Sequence, residues 1–165
     1  MPVAFFFMDP MLQSFDARFA FIHQGSVALL EMLPEADLFR KPRELERSMS
    51  MFSCGEYILR SAAAVERTSG GITTRLWDDP FEWTLPEELS STRKVTAYLA
   101  EVEQGRSSAF RFFTSDTDLQ KQIPAPETLR SIFELLLETV ARAEHYQGRA
   151  FAIFQMFSDK KLPRV

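Results

Sequence analysis

The stretch Arg142-Ala143-Glu144-His145-Tyr146-Gln147-Gly148-Arg149 lies inside the longest periodic run of the chain. Ile132, Leu136, Thr139, Ala143, Tyr146, Ala150, Ile153 and Phe157 recur every three or four residues. That spacing places them on one face of an α-helix, whose turn is about 3.6 residues. Pro126 and Glu127 suit its start, because proline presets φ and the carboxylate meets the positive end of the helix dipole. The helix predicted from there is long, about 30 residues by a count of whole turns, and apolar on more than one flank. Leu135, Leu137, Phe151 and Phe154 fall outside its main stripe. Such a helix is either central or packs against a second copy of the chain.

Three further helical stripes precede it. Asp9-Pro10 reads as an N-cap acceptor with proline at the first helical position. Leu12, Phe15, Phe19, Ile22, Ser26, Leu29 and Leu33 then line one face until Pro34. Residues 34 to 48 read as a long connection with room for a short turn of helix. The next helix is predicted from about Ser50 to Thr68, with Phe52, Gly55, Leu59, Ala62 and Val65 inward and Ser69-Gly70-Gly71 as its stop. Residues 72 to 90 show no period, and Trp77, Phe81 and Trp83 are expected to clamp that loop onto the helices. Ser90 or Ser91 caps a third helix carrying Val95, Leu99, Val102, Arg106, Ala109, Phe110 and Phe113. The fold class is therefore all-α, in a single domain.

Composition agrees with this reading and narrows the function classes. The chain has 165 residues, 45% hydrophobic and 25% charged, with 16 Phe and only 6 Gly, a globular profile unlike a turn-rich β fold. A net charge of −4 and a pI near 5.3 speak against a nucleic-acid partner, which needs a basic stripe. No run approaches the ~20 apolar residues that cross a bilayer, and Val3 to Met8 lacks the basic residues that open a signal peptide. The one cysteine, Cys54, has no internal partner for a disulfide, so a reducing, cytoplasmic compartment is expected.

The run 142–149 resembles the last-helix signature of the DinB-like (YfiT-like) four-helix bundles, roughly His-Asp/Glu-x-x-His-x-Gly-Gln. Trp77-Asp78-Asp79-Pro80-Phe81, Ser91 to Val95, Tyr98 to Val102, Thr114 to Ile123 and Leu162-Pro163 follow in the order found in that family. The resemblance implies an up-down-down-up bundle with long connections after its first two helices, and the surplus apolar surface of the last helix is expected to pair two copies in a homodimer. Members with an intact site hold a divalent metal through one histidine of the second helix and two of the fourth, and some are thiol-dependent transferases or hydrolases. Here the fourth-helix positions read Arg142 and Tyr146, and the second-helix position falls at Arg60, to within one residue. Arginine stays protonated and does not coordinate cations, and the chain holds only His23 and His145. No metal or other cofactor is therefore expected. His145 falls beside a ligand position and reads as a surface or structural residue.

Arg60 and Arg142 on facing helices, with Arg106 from the third, would need counter-charge. Two arrangements supply it: a plug in which Glu56, Glu66, Glu103 or Glu144 neutralises them, or a pocket for a carboxylate or phosphate ligand. Tyr57, Tyr98 and Tyr146 would line either. The leading expectation is a metal-free bundle binding a small molecule or anion between its second and fourth helices, through Arg60, Arg142, Tyr146 and Arg106. The alternatives are a transferase- or hydrolase-type enzyme with a non-histidine or metal-assisted site, and a structural dimeric partner. Such an enzyme would use another constellation, such as the tyrosines or Cys54. Cys54 lies near a helix start where the dipole lowers a thiol pKa, but the sequence places no histidine base near it and it reads more simply as a small core thiol.

Overall fold

Four helices form the body of the computed structural model, which describes residues 9–42, 51–78 and 86–164. They are α1 (Pro10–Met32), α2 (Cys54–Thr74), α3 (Thr92–Phe110) and α4 (Ile132–Phe157). The expectations for Val3 to Met8, Ser50, Phe81 and Trp83 lie outside the described residues. A two-stranded antiparallel hairpin, β1 (Gln122–Pro124) and β2 (Leu129–Ser131), is the one sheet among the described residues.

Side-chain pairs fix the direction of each helix. Thr92 at the start of α3 meets Glu35 just beyond the end of α1, whereas Asp116, past the end of α3, meets Asp9 at the start of α1. These two helices are antiparallel. Phe15 packs on Phe133, and Gln147 donates to the Ile22 carbonyl and Ser26 hydroxyl, so α4 runs alongside α1. Cys54 meets Ala150, Ser61 meets Ala143 and Thr68 meets Thr139, so α2 runs against α4. The order is up-down-down-up. The major packing partners are α2 with α4, α2 with α3, α1 with α3 and α1 with α4.

The predicted stripes are the buried ones. Leu12, Phe19, Ile22, Ser26, Leu29 and Leu33 of the first stripe are buried, as are Gly55, Leu59, Ala62 and Val65 of the second. Val95, Leu99, Val102, Arg106, Ala109 and Phe110 follow in α3, and Ile132, Leu136, Thr139, Ala143, Ala150 and Ile153 in α4. Leu135 and Phe154 are buried too, which corrects the expectation that they form surplus apolar surface; α4 is broad because it packs on both α1 and α2. Leu137 remains exposed.

Helix ends depart from the sequence reading in three places. Asp9 precedes α1 as predicted, yet its side chain caps nothing on its own helix. The Met11 and Leu12 amides donate instead to the Asp116 carboxylate at 3.0 and 2.9 Å, and Asp9 Oδ2 accepts the Asp116 amide at 2.9 Å. A remote loop thus satisfies the orphan donors of the first turn. The second departure is in α2, which starts at a Ser53–Glu56 capping box and continues through Ser69-Gly70-Gly71 to Thr74, where Arg75 takes the left-handed conformation (φ 63°). The glycines are helical. A Cβ on Gly71 would lie 2.4 Å from the Trp77 ring, so the missing side chain is what lets the indole lie on the helix. Third, Pro126 and Glu127 form the hairpin turn, and α4 begins five residues later at Ile132. There Ser131 and Glu134 exchange two hydrogen bonds, of 3.2 and 2.9 Å, satisfying two backbone donors that Pro126-Glu127 could not.

Candidate functional site

A cavity of about 250 Å³ opens on the seam between α2 and α4, at the end where α2 finishes and α4 begins. Thr68 and Thr139 share a buried hydrogen bond of 2.7 Å at this seam, each occupying an inward position where the neighbouring turns carry apolar residues. Thr139 also donates to the Leu135 carbonyl at 2.7 Å, one helical turn back. Trp77 lines the cavity and is held three ways: its ring lies on Gly71, its indole N–H donates to the Pro124 carbonyl at 3.0 Å, and its own carbonyl accepts Arg67 Nε–H at 3.1 Å. The remaining N–H groups of Arg67 make no hydrogen bond among the described residues.

Three arginines line this cavity, Arg67, Arg130 and Arg142, with two carboxylates, Glu127 and Glu138. Glu138 accepts from Arg130 and from Arg142, each at 2.6 Å, one through each carboxylate oxygen. The hydrogen bond from Arg130 is the largest cause holding the Glu138 carboxyl below its usual pKa; the charges of Arg142 and Arg67 add to it, and partial burial opposes it. Glu138 is therefore ionised at neutral pH, and the lining carries one more cation than anion.

Of the four residues expected to bind an anion, only Arg142 lines the cavity. It is about half exposed (48%) and pairs with Glu138 on its own helix, a carboxylate outside the four considered from sequence. Arg60 lies over the Phe52 ring, 3.9 Å from its centroid. Tyr146 is half-buried, 6.4 Å from the ring of Tyr57, whose hydroxyl accepts from Arg149 at 3.2 Å. Arg106 is buried between α3 and α1, held by both oxygens of Glu103 at 2.8 and 2.6 Å and by Asp16 at 2.5 Å. Of the candidate plugs, then, Glu103 neutralises Arg106. Glu66 accepts from the Tyr98 hydroxyl, Glu56 belongs to a capping box, and Glu144 pairs with Arg18.

Arg67 and Arg130 escaped the sequence reading. The legible signal was the i, i+4 pair Glu138–Arg142 together with two threonines, Thr68 and Thr139, at core-facing positions. Cys54 is a core thiol: its Sγ is buried and donates to the Ala150 carbonyl at 3.5 Å, and burial pushes its pKa up to about 12. Desolvation outweighs the helix dipole there and favours the protonated thiol. His145 is exposed, and His23 is half-buried with its pKa lowered, chiefly by desolvation. Among the described residues no three His, Cys, Asp or Glu side chains converge on a metal-sized site, and no helix is long and apolar enough to cross a membrane. Comparison with known protein families, with curated proteins and with solved structures finds no match to this chain.

Proposed function

We propose that this chain is a DinB-like bundle that works without a bound metal and takes a small anionic molecule into the α2–α4 cavity. The observation that carries the reading is the lining itself, three arginines facing two carboxylates beside a fixed indole. A guanidinium fork matches carboxylate or phosphate oxygens bidentately, and a partly enclosed apolar wall strengthens that attraction relative to open water. Glu138 acts as the resident counter-ion when no ligand is present. The likeness of the 142–149 run to the DinB-like signature supports the family placement, and Arg142 then stands where that family places a metal-binding histidine. We further propose a homodimer, in which a second copy covers the apolar side chains that α4 leaves exposed, Leu137 (52%) and Met156 (56%), and a cytoplasmic location, from the single cysteine.

Thermal melts of wild type and Arg142→Ala, with and without citrate or phosphate, test the site. Because Arg142 and Glu138 are both about half exposed, the substitution costs the unliganded protein no more than about 0.5 kcal/mol. Anion-dependent stabilisation of the wild type should fall in the variant. An equal anion response in both proteins removes Arg142 from the site, and no response in either defeats the reading. Sedimentation showing a monomer at micromolar concentration would overturn the dimer.

A further inference from the structure

Hydrogen-bond arithmetic at the inner end of the cavity specifies more than a negative charge. A threonine hydroxyl has one proton to donate and two lone pairs to accept with. Thr139 directs its proton to the Leu135 carbonyl, which has none to offer in return. The proton in the 2.7 Å Thr68–Thr139 contact must therefore come from Thr68. Both hydroxyl protons are committed, and Thr68 Oγ1, in a side chain only 8% exposed, accepts from no described residue. Both threonines line the cavity, and neither hydroxyl has a proton left to donate to a ligand. The cavity's arginines offer donors and no lone pairs.

We infer that the ligand is an organic acid carrying its own hydrogen-bond donor, a hydroxyl or amino group, and an apolar body. The carboxylate meets Arg67 and Arg142, the donor group meets Thr68 Oγ1, and the apolar part lies between Trp77 and Leu135. This rests on the proposed anion site and adds a chemical class to it. Inorganic phosphate fits less well, since it leaves the apolar wall wet and carries no apolar body to cover it. The fixed indole makes the wall pre-formed, so little ordering accompanies binding.

Calorimetric titration with three probes tests the inference: 3-phenyllactate, its deoxy analogue 3-phenylpropionate, and inorganic phosphate. Wild type should bind phenyllactate roughly tenfold more tightly than phenylpropionate, the worth of one hydrogen bond in a partly dry site. Thr68→Val should erase that preference, because it removes the acceptor and keeps the shape. Thr68→Ser, which restores the oxygen, should restore the preference, and this separates recognition from any general loosening by the valine. Equal binding of the two acids to wild type overturns the donor requirement and leaves the anion site standing. Preference retained in Thr68→Val overturns the role of Thr68. Phosphate binding without either organic acid also overturns the inference. Failure of all three probes overturns it together with the anion site.

Discussion

Adjacent glycines at 70 and 71 give a matched pair for testing where α2 ends. Both lie in helical geometry with negative φ, so alanine at either should gain about 1 kcal/mol of intrinsic helix propensity. Their surroundings differ sharply. A Cβ on Gly70 would meet only the Leu76 carbonyl oxygen, at 3.4 Å, an ordinary contact. On Gly71 it would stand 2.4 Å from two carbons of the Trp77 ring and 2.5 Å from a third. The ring cannot step aside freely, because its N–H is bonded to the Pro124 carbonyl and its backbone to Arg67. Overpacking of this kind costs about 1–3 kcal/mol.

Gly70→Ala should therefore be neutral to stabilising, and Gly71→Ala should lie about 2 kcal/mol below it. For a chain of this size that difference is about 4–8 °C in melting temperature. Differential scanning calorimetry supplies the comparison, and tryptophan emission should shift only in Gly71→Ala as the indole is displaced. The rival reading, with Ser69-Gly70-Gly71 as a helix stop in left-handed geometry, predicts that alanine at the left-handed glycine costs about 1 kcal/mol and leaves the indole alone. Equal melting temperatures for the two variants would refute the contact argument.

Two other perturbations probe the buried charges. Arg106→Ala strands Glu103 and Asp16, and because those carboxylates keep 25% and 36% of their exposure the cost should sit near the low end of a broken buried pair, about 3 kcal/mol; a urea-melt difference under about 1 kcal/mol would contradict it. His23 has a folded pKa below its ordinary 6.5, so the unfolded chain takes up the proton first, and the contribution is intact above pH 6.5 and lost as pH falls towards the folded value. Stability measured between pH 7 and 5 should therefore fall less steeply in His23→Gln than in wild type, and parallel curves would rule out His23 as a contributor.

The fold was legible because its determinants are local. Stripes at three- and four-residue spacing depend only on which side chains repeat, and burial followed them through all four helices. Helix ends were less legible because they depend on partners elsewhere. Gly71 looks like a stop signal until Trp77 is known to lie on it, and Asp9 looks like a cap until Asp116 takes that role from more than a hundred residues away. The Ser131–Glu134 and Ser53–Glu56 boxes were readable and would have placed two helix starts correctly. The site was least legible. Arg67 comes from α2, Arg130 from β2 and Arg142 from α4, and no spacing in one dimension places three such elements around one space.

The chain direction explains why the cavity lies where it does. With α2 descending and α4 ascending, the end of one and the start of the other share one end of the bundle. Since α2 and α3 both descend, the end of α2 and the start of α3 lie at opposite ends of the bundle, separated by the length of a helix, about 28 Å for the 19 residues of α3 at 1.5 Å each. Trp77 is pinned at the beginning of the connection between them. The link from α3 to α4 also passes this end, and its hairpin turn, Ala125 to Thr128, lines the cavity next to Trp77. An up-down-up-down bundle would join its helices by short turns, leaving no long connector to overhang the seam. The wall at Trp77 therefore comes from a segment that the topology requires to be long, and the arginines from the rigid helices and the β2 strand. The turn thus shapes the opening and adds one anion, Glu127, while α2, β2 and α4 supply the cations. On the proposed anion-site reading, changes at Ala125 or Thr128, a half-buried and an exposed position, should alter which acids bind with little effect on melting temperature. Changes at Thr68 or Thr139 should affect both.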